Sequence, residues 1–135
     1  MAQAHHMRIG EVAERTGLSL RTIRYYGEVD LVVPSARSRG GYRLYTETDV
    51  DRLQLIKRMK PLGFSLDETR ELLAAVDGLS ADDTDEDERA ALAERLDSFE
   101  AAIADRCVTL RRQLEMAEEF AERLRRRRAG RAASA

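Results

Sequence analysis

Arg21 and Arg24 lie among small hydroxyl residues, Ser19 and Thr22, and next to Tyr25. These residue types suit polyanion chemistry. An arginine fork can pair bidentately with guanine O6 and N7, while serine, threonine and tyrosine hydroxyls reach phosphate oxygens. A second group follows at Arg37, Arg39, Tyr42 and Arg43, around Gly40-Gly41 and without an intervening acid. Glycines allow close backbone approach, and unopposed arginines suit a phosphate backbone. Lys57, Arg58 and Lys60 form a third group, readable either as added backbone contacts or as the solvated face of a helix. Lys60 is retained as a candidate contact.

Other chemistries find little support. The only histidines, His5 and His6, fall in a short leader, which leaves no interior imidazole for a base or a metal ligand. Paired carboxylates occur only in polar stretches, and no phosphate-cradling glycine loop is present. Cys107 is the one cysteine, so neither a disulfide framework nor a cysteine-rich metal site can be built within the chain. No catalytic residue, metal or cofactor is expected. No apolar run is long enough to cross a membrane, and a cytoplasmic location follows by elimination.

The net charge of −2 over 135 residues conceals segregation. Residues 1–64 carry eleven cations against seven acids. Residues 77–100 carry ten acids against Arg89 and Arg95, and the chain turns basic again towards Arg125–Arg128. A basic front joined to an acidic middle separates a polyanion-binding surface from the rest of the molecule.

The elements that must hold the first two groups can be read locally. A first helix is expected over about residues 10–15, with Ile9, Val12 and Ala13 inward. Gly17 ends it in the left-handed conformation. Ser19 caps a second helix over about residues 20–27, with Leu20 and Ile23 on its buried face. Together these make a helix-turn-helix. Tyr25 and Tyr26 diverge by about 100° and cannot share a face. Tyr25 is assigned to phosphate and Tyr26 partly to packing. Residues 31–34 read as extended, 35–41 as a turn, and 42–45 as a short strand, giving a β-hairpin wing. Thr46 to Asp49 opens a third helix as a capping box, with Val50, Leu53, Ile56 and Met59 inward. Pro61 and Gly63 stop it. Ser65 to Glu68 caps a fourth helix through about residue 76, with Leu66, Leu73 and Val76 inward.

Five segments result: a disordered leader at 1–6, a head at 7–77, an acidic linker at 78–85, a long helix at 86–128 and a flexible tail at 129–135. Along the long helix Leu92, Leu96, Phe99, Ile103, Cys107, Leu110, Leu114, Ala117, Ala121 and Leu124 recur at steps of three and four. That is a coiled-coil heptad with one stutter between Ile103 and Cys107. A lone amphipathic helix cannot bury such a stripe, and a second copy is the simplest partner. Cys107 on the seam reads as a small buried hydrophobe or as a redox bridge between copies. The arginine run suits a helix C-terminus; it could also touch nucleic acid or pair with the acids at 82–88 of a partner.

The motifs Met7-Arg8-Ile9-Gly10-Glu11-Val12-Ala13, Thr16-Gly17-Leu18-Ser19, Thr22-Ile23-Arg24-Tyr25-Tyr26, Arg39-Gly40-Gly41-Tyr42-Arg43-Leu44-Tyr45 and Leu62-Gly63-Phe64-Ser65-Leu66 resemble the MerR family of bacterial transcription regulators. The likeness covers roughly residues 7–76, in order and at family spacing. It implies a mainly α fold: a winged helix-turn-helix head with a small hairpin wing, then a long antiparallel coiled-coil helix joining a homodimer. It also implies double-stranded promoter DNA as partner, distortion of that DNA, and RNA polymerase at the same promoter. Ser19, Arg21, Thr22, Arg24 and Tyr25 then fall on the recognition helix, and Arg37, Arg39, Tyr42 and Arg43 on the wing. Two positions depart from the pattern. Gly27 stands where the family usually has Glu, which would loosen the last turn of the recognition helix. Asp30 stands where it usually has Gly, and Asp tolerates the left-handed conformation. The cysteines of the metal and iron–sulfur branches are absent, so the reading excludes a cysteine-based sensor and names no effector. The alternatives are a non-specific DNA-binding architectural or coiled-coil interaction protein, and a small-molecule binding module.

Overall fold

The computed structural model of the chain describes residues 6–134, with helix side chains described through Arg131. It divides between Thr84 and Asp85 into two compact units. The leader expected at 1–6 lies outside the described residues except for the exposed His6.

The first unit holds α1 (Ile9–Thr16), α2 (Leu20–Glu28), β1 (Ala36–Arg37), β2 (Arg43–Leu44), α3 (Glu47–Met59) and α4 (Leu66–Ser80), with a 3-10 turn at Lys60–Leu62. Local chemistry accounts for most boundaries. Gly17, at φ 74°, ends α1 and donates its N–H to the Ala13 carbonyl. Ser19 Oγ accepts from the Thr22 N–H at 3.0 Å and starts α2. Asp30, the one non-glycine with positive φ among the described residues, turns the chain after α2 at φ 57°. Capping boxes open both α3 and α4. Thr46 and Asp49 exchange backbone and side-chain bonds at 3.3 and 2.9 Å, and Ser65 and Glu68 do so at 3.1 and 2.9 Å.

The core of this unit gathers Val12, Ile23, Tyr26, Leu53 and Leu73 with Met7, Leu31, Val32 and Tyr45 from the segments between the helices. Val50, Leu53, Ile56 and Met59 all face inward, as their spacing requires. Leu53 is fully buried.

Several expectations need correction. Leu20 is 40% exposed and Leu66 is 36% exposed, although the sequence pattern puts both inward. Each is the first helical residue after its cap, where the apolar stripe has not yet entered the core. Thr69, Leu72 and Ala75 pack alongside Leu73 on α4, while Val76 is only half-buried. That helix continues through Gly78 to Ser80, where the Ala81 N–H closes on the Gly78 carbonyl. The wing strands are two residues each, with Ala36 opposite Leu44 and Arg37 opposite Arg43. The chain bends at Leu31 and Val32, which are buried, and Val33 beyond them is exposed. Met7 adds a bridge to Tyr45, through N–H···O bonds of 2.8 and 2.7 Å, and so ties the N-terminal segment to the base of the wing.

The second unit is α5 (Glu86–Ser134), 49 residues without a break. It passes the Arg128 end expected from the sequence and runs through Gly130. Asp85 Oδ1 caps it by accepting the Glu88 N–H at 2.7 Å.

Candidate nucleic-acid interface

The cations of the first unit divide into two sets by what they touch. One set is structural. Arg15 forms a forked pair with Glu47 at 2.6 and 2.8 Å, and the carboxylate holds its guanidinium pKa above the ordinary value. Lys57 donates to the Thr16 carbonyl at 2.7 Å and satisfies the open C-terminal end of α1. Arg70 donates to the Val29 and Asp30 carbonyls at 2.9 and 3.2 Å, holding the turn that Asp30 makes. Arg52 pairs with Asp77 at 2.7 Å across α3 and α4. Lys57 therefore answers to neither reading offered by the sequence: it ties two helices together.

The other set is exposed and makes no ion pair among the described residues. It includes Arg21, Arg24, Arg37, Arg39, Arg43 and Lys60, with Arg8 and Arg58 likewise exposed. Arg21 and Arg24 project from α2, which is anchored by buried Ile23 and Tyr26. Tyr25 is 45% exposed while Tyr26 is 3% exposed, the division the helical geometry requires. Their rings lie 5.8 Å apart and tilted, and the Lys60 ammonium stands 5.8 Å from the centre of the Tyr26 ring. The exposed Ser19 hydroxyl donates to Thr22 Oγ1 at 2.8 Å, so the half-buried Thr22 is held by its neighbour.

The wing turns on Ser38. Its N–H donates to the Tyr42 carbonyl, its carbonyl accepts from Gly41, and its Oγ accepts from the Tyr42 N–H at 3.1 Å. Gly41 takes φ 81°, which an L side chain adopts only with strain. This leaves Arg39 and Gly40 at the tip. Arg37 and Arg43 stand directly opposite each other on β1 and β2, and like charges so placed repel. Both arginines line one hollow with Gly27 and Asp30 from the end of α2, so the wing base adjoins that helix. Tyr42 is 61% exposed and carries the Arg8 guanidinium 4.8 Å above its ring. Arg8 was missed as a candidate; its position follows from the Met7–Tyr45 bridge, a long-range pairing with no local signal. Burial raises the Tyr45 phenol pKa above its ordinary value.

Hydrogen bonds around Asp49 fix this assembly. Asp49 is buried and accepts from the Ser35 N–H at 3.2 Å, the Ser35 hydroxyl at 2.7 Å and the Thr46 N–H at 2.9 Å. One carboxylate thus joins the start of the wing to the start of α3.

On α5, Leu110, Leu114 and Leu124 are exposed, as are Val108, Met116 and Phe120. Leu92, Leu96, Ile103 and Cys107 are half-buried, and Phe99 is buried within the single chain. No described helix is long and apolar enough to cross a membrane.

Comparison with known proteins adds a lineage to this geometry. Residues 7–76 match the MerR HTH family regulatory protein pattern, and residues 50–117 match the pattern described as MerR, DNA binding. The chain is 49% identical over 70 residues to the mercuric resistance operon regulatory protein of Bacillus cereus, covering 52% of this chain and 53% of that one. It is 40% identical over 99 residues to the HTH-type transcriptional regulator ZntR of Escherichia coli K12, covering 73% and 69%. Among solved structures it resembles HiNmlR, a MerR family regulator lacking the sensor domain, bound to promoter DNA. There the TM-score is 0.54, the identity 25%, and the coverage 82% of this chain and 80% of that one. The match spans about half the length of the first curated relatives.

Proposed function

The chain belongs to the MerR family of HTH regulatory proteins, and from that premise we propose that it is a dimeric, sequence-specific regulator of transcription. In this reading two heads grip a pseudo-palindromic promoter operator and distort it, with RNA polymerase at the same promoter and the protein in the cytoplasm. The observation that carries the reading is the sorting of cations. Four basic residues are consumed by structural bonds, while those on α2 and the wing stay exposed and unpaired. The opposed pair Arg37 and Arg43 is the sharpest case: its mutual repulsion is relieved by a polyanion.

Roles divide by reach. Arg21 and Arg24 on α2 read base edges in the major groove, and Ser19, Thr22 and Tyr25 hold flanking phosphates. Arg37, Arg39, Tyr42, Arg43 and Lys60 engage the backbone. The dimer forms along α5 through Leu92, Leu96, Phe99, Ile103, Cys107, Leu110, Leu114 and Leu124. The exposed apolar residues from Leu110 to Leu124 support it, since such a stripe is costly in water.

The test is quantitative footprinting on the operator with unrelated duplex as competitor. Arg24→Ala is expected to weaken specific binding by about 1–3 kcal/mol while leaving binding to unrelated DNA nearly unchanged. An unaltered footprint sinks the base-reading role, and equal affinity for both DNAs favours a non-specific architectural protein. The relatives include a mercuric resistance regulator. With one thiol per chain, we read these 135 residues as lacking a cysteine-based metal site of their own. Operator affinity unchanged by Cys107→Ala and by added zinc supports this; loss of a zinc response on that substitution overturns it.

A further inference from the structure

We propose that the two ends of α5 are complementary ion-pairing surfaces, and that Glu88 and Asp85 of one copy face Arg128 and Arg131 of a second copy packed antiparallel. The proposal rests on the antiparallel pairing of α5 helices that the family likeness implies, and adds its register and its end contacts.

Three observations converge on it. First, the apolar stripe of α5 is its own antiparallel complement. About a centre near Val108, Leu92 lies as far on one side as Leu124 on the other. Leu96 and Ala121, Ile103 and Leu114, and Cys107 and Leu110 likewise fall opposite one another to within one residue. A second copy laid head to tail therefore matches layer for layer.

Second, the stripe's three-and-four spacing continues beyond its apolar part at both ends. Stepping back from Leu92 reaches Glu88 and then Asp85. Stepping on from Leu124 reaches Arg128 and then Arg131. These positions are equidistant from the same centre, so the register set by the leucines brings 88 to 128 and 85 to 131. Nothing in the apolar match requires the charges to be opposite, yet they are.

Third, the groups are available. Arg123, Arg125 and Arg126 are occupied by Glu119 and Glu122 within the helix, at 3.3–3.6 Å. Arg127, Arg128 and Arg131 are exposed and make no ion pair among the described residues; nor do Glu86, Asp87 and Glu88. They cannot meet within one helix, since residues 88 and 128 are about 60 Å apart at 1.5 Å per residue.

The end charges agree with the antiparallel direction. A parallel pair would set acid against acid at one end and arginine against arginine at the other, whereas the antiparallel pair neutralises both. Opposed helix dipoles favour the same choice.

The test is sedimentation equilibrium of the full chain carrying Glu88→Lys, Arg128→Glu, or both. Each single reversal occurs twice per dimer and is expected to raise the dissociation constant about fivefold at low salt. The double reversal is expected to return it to within about twofold of the unaltered chain, and high salt to erase the differences. Helix-dipole effects alone penalise both singles and penalise the double most, so they cannot mimic the recovery. A dimer whose double variant is as weak as the sum of the singles overturns the contact while leaving the pairing of helices intact. A chain that stays monomeric at micromolar concentration overturns both.

Discussion

Asp30 holds φ 57°, with its carbonyl and that of Val29 accepting from Arg70. The residue sits where α2 must stop abruptly so that Leu31 and Val32 can enter the core. A left-handed backbone costs a β-branched side chain about 1–2 kcal/mol, a cost that Asp partly escapes and Gly avoids. Asp30→Val should therefore lower stability by about that amount, and Asp30→Gly should leave it near the original value. Urea midpoints measured on both variants check this; equal loss in the two would mean that the Asp carboxylate, not the backbone angle, matters. The position was legible because the signal is local: a residue tolerant of positive φ stands directly after a helix. Gly27, one turn earlier, shows how a local signal can mislead. The absence of a side chain suggested a loosened helix end, yet α2 continues through Glu28, and an added Cβ would meet only the Val32 carbonyl, at an ordinary 3.7 Å.

Among the elements, the junction at Asp49 has the largest consequences. Its carboxylate is both the reciprocal member of the α3 capping box and the acceptor for Ser35, so one buried group sets the start of a helix and the root of the wing. Removing it strands the Ser35 and Thr46 N–H groups. Asp49→Ala should cost about 2–4 kcal/mol, since hydrogen bonds to a charged group are the stronger kind and unsatisfied donors add their desolvation. DNA affinity should fall further than stability alone explains, because Arg37 is two residues beyond Ser35. Thermal unfolding together with operator affinity measured well below the melting temperature separates the two effects; a stable variant with unaltered affinity would dissociate the wing's position from this carboxylate. The capping half of Asp49's role was readable from Thr46-Glu47-Thr48-Asp49. The Ser35 half was not, because it joins residues fourteen apart whose approach depends on the folded wing. The same distinction explains Arg15 with Glu47 and Lys57 with Thr16. Sequence identifies a cation, but only the packing of α1 on α3 decides whether it is consumed.

At the scale of the molecule, a net charge of −2 is compatible with tight binding to a polyanion only because the charges are separated. The head presents Arg21, Arg24, Arg37, Arg39, Arg43 and Lys60 unpaired, whereas the acids of α5 begin beyond Thr84. If about half of these cations engage phosphates in each half of a dimer, roughly six counterions are released. The logarithm of affinity should then fall against the logarithm of salt with a slope near −5. Arg39 provides the sharpest check. It stands at the wing tip, makes no hydrogen bond or ion pair among the described residues, and reads no base in this account. Arg39→Ala should therefore reduce the steepness by about two, one contact per protomer, while leaving the preference for operator over unrelated DNA unchanged. Arg24→Ala should do the reverse, lowering the preference more than the slope. Titrations of both variants between low and physiological salt distinguish the roles. A slope unchanged by Arg39→Ala would remove the wing tip from the interface and leave DNA contact to α2 and the wing base.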